Sequence, residues 1–415
     1  MSSRITSSML SSNYLRNMQT NLTNMKTLQN QLASGSQIQK ASENPYTASR
    51  SMQLHTEISA NKQYNENIKD TTNWLDTTDT ALSQMGNVFG RIETLLVNAG
   101  NGAYGQDEKT SIQDEVKEKV NELSQVLNTS FDGSYIFGGT KTGSKPTTVG
   151  NDGVLKYADK AGNGITKTST GMNIDLSTNP IESSVTPSNN KKIEGIAKSD
   201  STVTITIKDY TVAATPVTLT STIDLTTVGT GIPPATVDSL FKSALTPDFT
   251  EDDANKAISV YNDSPNALTQ INSGLKVDIS EGVKTGYNKT AVDVLEFKDK
   301  DGNAINVSDL LSKIISDLGT DGTTSDLTTN DLKNIQSVTA NLLQQRSEVG
   351  SYQNRMDSAQ SSNETQNYNM TDILSKTEDI DFAETTMQYS MMQTVYTAAL
   401  QTSAKILPMT ILSYL

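Results

Sequence analysis

Residues 383–415 read AETTMQYSMMQTVYTAALQTSAKILPMTILSYL, and the fold turns on how this stretch is partnered. Met392, Val395, Ala399, Thr402, Ile406 and Met409 recur at alternating three- and four-residue steps, the seam of a coiled coil. Leu400, Ala404, Leu407, Ile411 and Leu415 form a second stripe on the neighbouring face. Near the other terminus Leu15, Met18, Leu22, Met25 and Leu32 keep the same register, with Gln29 as a polar interruption. Two seams of one period at opposite ends predict that the ends meet. Charge points the same way. Arg4, Arg16, Lys26 and Lys40 stand without an acid in the first forty positions, whereas Glu378, Asp379, Asp381 and Glu384 crowd the other end.

Working outward, Ser34-Gly35-Ser36 breaks the first helix, and Ser42 with Pro45 predicts the start of the next. A seven-residue series then runs Leu54, Asn61, Ile68, Leu75, Leu82, Phe89, Leu96. The helical pattern from about Tyr46 runs for about fifty residues, roughly 70 Å, more than a compact domain needs. Glycines between Asn98 and Gly105 end it, and Asp107 and Glu108 open another at its positive end. Phe131-Asp132-Gly133-Ser134-Tyr135 shifts to strand period around an Asp-Gly turn. Thr202 to Ile207 alternates strictly, Val217 to Leu225 less cleanly. Helices are expected at Val237–Leu245 and Glu251–Tyr261, the second capped by Thr250 with Asp253. Ile335, Leu342, Val349 and Met356 mark a second long helix from Asp331, loosening over 358–369 where Ser and Asn accumulate.

The fold expected is therefore mainly α with a β-rich insertion, its N- and C-terminal long helices paired as a coiled-coil rod. Three parts are expected: the paired terminal helices (1–42 with 375–415), a long-helix domain (43–140 with 304–374) and a β-rich insert (141–303).

Composition narrows the function. A net charge of −14 disfavours nucleic acid and anionic membrane as partners, and no run of apolar residues is long enough to span a bilayer. No cysteine is present, so thiolate chemistry, disulfides and cysteine metal sites are excluded. The N-terminus has no hydrophobic segment of a secretory signal. His55 is the single histidine, which rules out a two-histidine metal site within one chain, and it reads as a surface residue. Asp299-Lys300-Asp301-Gly302-Asn303 has Ala304 and Leu310 where a calcium loop needs Gly and Glu, and reads as a hairpin turn. Gly138-Gly139-Thr140-Lys141 lacks the end of a phosphate loop. No cofactor is expected.

Five stretches resemble the flagellin superfamily and, within it, the hook–filament junction class. They are Arg4-Ile5-Thr6 with Met9; Leu32-Ala33-Ser34-Gly35 with Ile38 and Ser42-Glu43-Asn44-Pro45; Tyr135-Ile136-Phe137-Gly138-Gly139-Thr140; Arg346-Ser347-Glu348-Val349-Gly350 with Asn354-Arg355; and Asp379-Ile380-Asp381-Phe382-Ala383-Glu384 running into Ala404-Lys405-Ile406-Leu407 and Ser413-Tyr414-Leu415. Pro45-Tyr46-Thr47-Ala48 departs from the Ala/Gly-rich run usual in filament subunits. Pro408 departs from the family's unbroken terminal helix and should kink it.

The resemblance implies an extracellular structural component of the bacterial flagellum, exported by the type III apparatus without a cleaved signal. It implies a ring of about eleven copies, with the first hook-associated protein, flagellin and an export chaperone as partners. The assembly interface expected comprises Ile5, Met9, Leu15, Met18, Leu22, Met25, Leu32, Met387, Met391, Met392, Val395, Ala399, Ile406, Leu407, Ile411 and Leu415. A filament flagellin and a secreted coiled-coil adhesin remain as alternatives.

Overall fold

In the computed structural model the described residues are 7–100, 105–168, 171–183, 190–199, 202–211, 216–225, 234–246, 248–319 and 326–412. In chain order, α1 (Ser7–Ser34), α2 (Pro45–Ala99) and α3 (Gln106–Leu127) lead into a short hairpin, β1 (Ser130–Phe131) and β2 (Ser134–Tyr135). A run of strands follows: β3 (Thr147–Val149), β4 (Leu155–Ala158), β5 (Gly164–Thr168), β6 (Gly171–Asp175), β7 (Ile181–Glu182), β8 (Lys191–Lys198), β9 (Thr202–Asp209) and β10 (Val217–Asp224). Helices α4 (Pro234–Leu245) and α5 (Glu251–Ile271) come next, then the hairpin of β11 (Lys276–Ser280) and β12 (Val283–Gly286). After α6 (Ala291–Leu295), the hairpin of β13 (Glu296–Lys298) and β14 (Ala304–Asn306), and α7 (Val307–Asp317), one π-helical turn, Leu327–Asp331, opens α8 (Leu332–Glu378). The last helix is α9 (Phe382–Leu412), whose bounds run through Pro408. Two compact units result, one from Met1–Glu66 with Ala359–Leu415, the other Asn67–Ser358.

In the second unit the seven-residue series of α2 is buried throughout: Ile68, Leu75, Leu82, Phe89 and Leu96 are each shut off from solvent. The α8 series Ile335, Leu342, Val349 and Met356 is buried too. Polar pairs fix their antiparallel register. Arg346 grips Asp79 with two parallel bonds (2.8 and 3.0 Å), Gln353 donates to Asp76 (2.7 Å) and Gln336 to Glu93 (2.9 Å). Each step forward on α2 is a step back on α8. The same register holds in the first unit, where Asn61 Nδ2 donates to the carbonyl of Asn363 (2.9 Å). Both asparagines are buried, and both continue the seven-residue spacing of their helices. A buried amide pair at a seam position tolerates little slippage. The loosening expected over 358–369 is therefore corrected: α8 runs on to Glu378, and Asn363 is a seam layer.

The α2 start needs one correction as well. Pro45 is its first residue, but Asn44 caps it, accepting from Thr47 N at 3.2 Å; Ser42 lies too far upstream. Gly35 ends α1 with φ +76°, its N–H donating to Gln31 O (2.8 Å).

The inserted sheet is antiparallel, in the order β10-β9-β8-β6-β5-β4-β3 with β7 on β8. The Asp132 and Gly133 turn has positive φ at both residues, as a two-residue hairpin requires. On β9, Val203, Ile205 and Ile207 face inward, where they meet Phe241 of α4 and Ala257 of α5. Thr250 and Asp253 form the capping box, but α5 extends ten residues past Tyr261, through Pro265, to Ile271. Asp299–Asn303 is the turn of the β13–β14 hairpin, with Asp299 Oδ1 accepting from Asp301 N and Asn303 N.

The Gly138-Gly139-Thr140-Lys141 stretch is a packing element. Thr140 N donates to Gln270 O (2.9 Å) at the end of α5. Lys141 turns inward, donating to the carbonyls of Lys145 (2.8 Å) and Ala158 (2.9 Å), and burial pushes its ammonium down to about 8. Gly139 has φ +59°, and a Cβ there would stand 2.3 Å from Gln270 O. Gly139→Ala is therefore expected to cost about 3–5 kcal/mol, from left-handed strain plus a backbone collision. Urea unfolding of the full chain, followed through Trp74, which stacks edge-on with Phe131 and Tyr287 in this unit, reads the loss. An unchanged midpoint would contradict the packing role.

Candidate assembly interface

The terminal helices pair in antiparallel fashion within the first unit. Gln37 N donates to Glu378 O (2.6 Å) and Ile380 N to Gly35 O (3.0 Å), forming a bridge at Ser36 and Asp379. At the far end of the pair the Tyr14 hydroxyl donates to the carbonyl of Ala399. Glu378 is held further by Ser51 Oγ and His55 Nε2, both at 3.0 Å. His55 is thus a surface residue with a structural partner. Asp381 caps α9, accepting from Ala383 N (2.9 Å) and Glu384 N (3.1 Å).

Burial along each helix locates the seam. On α1 the half-buried residues include Ser11, Tyr14, Met18, Asn21, Met25, Leu28 and Leu32, spaced three and four apart. On α9 they are Tyr389, Met392, Tyr396, Ala399 and Ser403, with Thr385 fully buried ahead of them. The two end contacts set Met18 opposite Tyr396, Asn21 opposite Met392 and Met25 opposite Tyr389. Met18, Met25, Leu32, Met392 and Ala399 therefore belong to the seam within the chain. Leu15, Leu22, Val395 and Thr402 do not: they are exposed, which corrects the seams expected from apolar spacing. Tyr14, Tyr389 and Tyr396 were missed because large amphipathic side chains fill a narrow seam as well as aliphatic ones, and Leu28 because it stands one position before the polar Gln29 assigned to that layer.

What remains outside is apolar. Met387 (67% exposed), Met391 (60%) and Val395 (49%) form a row on the back of α9, and Leu15 and Leu22 line one flank of α1, with Met9 beyond. Charge does not hold the pair together: among the described residues no ion pair joins α1 to α9, and Arg16 and Lys26 are exposed. Ile5 and Leu415 lie outside the described residues, as do the side chains of Ile406, Leu407 and Ile411.

Comparison with known proteins agrees with this architecture. The sequence matches the bacterial flagellin N-terminal helical region over residues 5–142 and the bacterial flagellin C-terminal helical region over residues 332–415, together more than half the chain. It is 25% identical to a flagellin of Clostridium tyrobutyricum over 93% of this chain and 94% of that one. With flagellar hook-associated protein 3 of Salmonella typhimurium it shares 27% identity over 28% of this chain and 37% of that one. Among solved structures, a putative flagellar hook-associated protein from Vibrio parahaemolyticus superposes with a TM-score of 0.47 at 14% identity, covering 81% of this chain and 100% of that one. With both terminal helical regions matched and paired around an insert, the chain belongs to the flagellin superfamily.

Proposed function

We propose that this chain is a structural adaptor of the bacterial flagellum, joining the hook to the filament and carrying out no catalytic step. The observation that supports it most is the division of labour on the terminal helices. Their seam is narrow and partly polar, while apolar rows on α1 and α9 remain uncovered. Neighbouring copies would cover those rows, closing a ring of about eleven. Ile5, Ile406, Leu407, Ile411 and Leu415 extend the same interface in this reading. The three-part division stated from the sequence gives the roles: terminal helices for assembly, long helices for support, insert outermost. The first hook-associated protein and flagellin are the neighbours above and below. Export runs through the flagellar type III apparatus, with a chaperone holding the methionine-rich α9 beforehand.

One local feature favours the junction over the filament: Asn44-Pro45-Tyr46-Thr47-Ala48 starts α2 with a cap and a proline, in place of an Ala/Gly-rich run. The filament reading is favoured by the match to the Clostridium flagellin along nearly its whole length. A deletion strain separates them. For a junction protein, hooks persist and flagellin escapes unpolymerised into the medium. For a filament subunit, hooks persist and no other flagellin appears outside.

A further inference from the structure

The inserted sheet ends differently on its two sides. At β3 the edge is closed by Asn128, whose Nδ2 donates to Thr147 O (2.9 Å) and whose Oδ1 accepts from Thr147 N (3.1 Å). Helix α3 packs against the same strand. At β10 the edge is open among the described residues. Ser199 N donates to Thr202 O, so Thr202 and Thr204 bond towards β8. By the alternation of an antiparallel ladder, Val203, Ile205 and Ile207 then bond towards β10, meeting Ile223, Ser221 and Leu219. The backbone groups of Thr218, Thr220 and Thr222 consequently point outward. Between Pro216 and Asp224 the strand has no charge and no proline, the usual guards of a free edge. Helix α4 covers only part of it: Ile223 is buried and Ser221 Oγ donates to Ala244 O, whereas Val217 and Leu219 are exposed.

We propose that β10 pairs with β10 of a second copy of this chain, antiparallel, about a two-fold axis through Thr220. That register sets Thr220 against Thr220 and Thr218 against Thr222, all with outward-facing backbone groups. Val217 falls beside Ile223 and Leu219 beside Ser221, so the uncovered half of each strand lies along the half its partner's α4 covers. Asp224 falls opposite Pro216, and no like charges meet. Because the β3 edge is closed, sheets cannot join head to tail, and the contact is isologous. Copies in a cyclic ring share one direction, so this two-fold contact lies outside any ring built by the terminal helices. It rests on the insert alone and stands or falls separately from the flagellar reading.

The full-length chain tests it, by sedimentation from micromolar to near-millimolar concentration, since one strand pair is a small contact and the dimer weak. Wild type is expected to dimerise as concentration rises. Thr220→Pro removes an outward N–H that β9 does not use, a position where an edge strand tolerates proline. It should stay monomeric with an unchanged Trp74 unfolding midpoint. Thr220→Cys should give a disulfide-linked dimer on mild oxidation, since the chain has no other cysteine and hydrogen-bonded partners bring Cα atoms to about 5.5 Å. Val283→Cys, exposed on another hairpin, should not. A monomeric wild type, or Thr220→Pro dimerising like wild type, overturns the proposal.

Discussion

Met391→Asp is expected to abolish motility while leaving the isolated chain folded. Met391 sits mid-row on the back of α9, between Met387 and Val395, and is exposed, unlike the half-buried seam residue Met392 beside it. In the lone molecule the carboxylate is solvated and costs little. In the proposed ring the same position would be covered by a neighbour. Loss of methionine burial removes about 1.5–3 kcal/mol per contact, and an unpaired carboxylate in an apolar interface adds a further penalty. A combined loss of about 4 kcal/mol weakens each contact roughly a thousandfold, and in a closed ring every copy suffers it. Leu22→Asp should behave alike from the α1 flank, and Met391→Leu should retain function. Swarming on soft agar, together with far-UV circular dichroism of the purified chain, reads both arms. Full motility of Met391→Asp would exclude the exposed row from the interface.

The same row explains why the long helices were legible in the sequence and the terminal seam was not. From Ile68 to Leu96 and from Ile335 to Met356 every member of the seven-residue apolar series is buried, so apolar spacing and burial coincide. On α1 two stripes overlap: Met18, Met25 and Leu32 share a period with Leu15 and Leu22, and equally with Tyr14, Asn21 and Leu28. Hydrophobicity selects the first set. The chain buries the second, keeping its more aliphatic residues outside. For a monomer that choice wastes apolar surface; for a subunit it reserves it. Asn363 illustrates the opposite error, since a polar residue read as loosening the helix is a buried layer with Asn61. The Asp132-Gly133 hairpin and the Thr250 capping box were local enough to read directly. Strand order in the insert was not, because pairing β6 with β8 across β7 depends on contacts distant in sequence.

Amide exchange of the isolated chain is expected to divide it sharply. Among the described residues of α1 and α9, Thr385 alone is buried, whereas α2 buries a residue at nearly every turn from Ile68 to Leu96. Opening the terminal pair therefore exposes little apolar surface, and helices with so few tertiary contacts fray. Backbone amides of 7–34 and 382–412 should exchange at least about a hundredfold faster than those of 68–96 in dilute solution, a gap of about 3 kcal/mol in opening free energy. Within the proposed ring the exposed rows would be covered, and the gap should close. The seam itself can be improved to check the cause. Replacing Asn21 and Ser403 by leucine adds apolar burial to the α1–α9 pair, and should slow terminal exchange in the lone chain without touching α2. Should the wild-type termini already exchange as slowly as the α2 core, the pair would be self-sufficient. Neighbours would then have nothing left to complete, and the apolar rows on α1 and α9 would need another explanation.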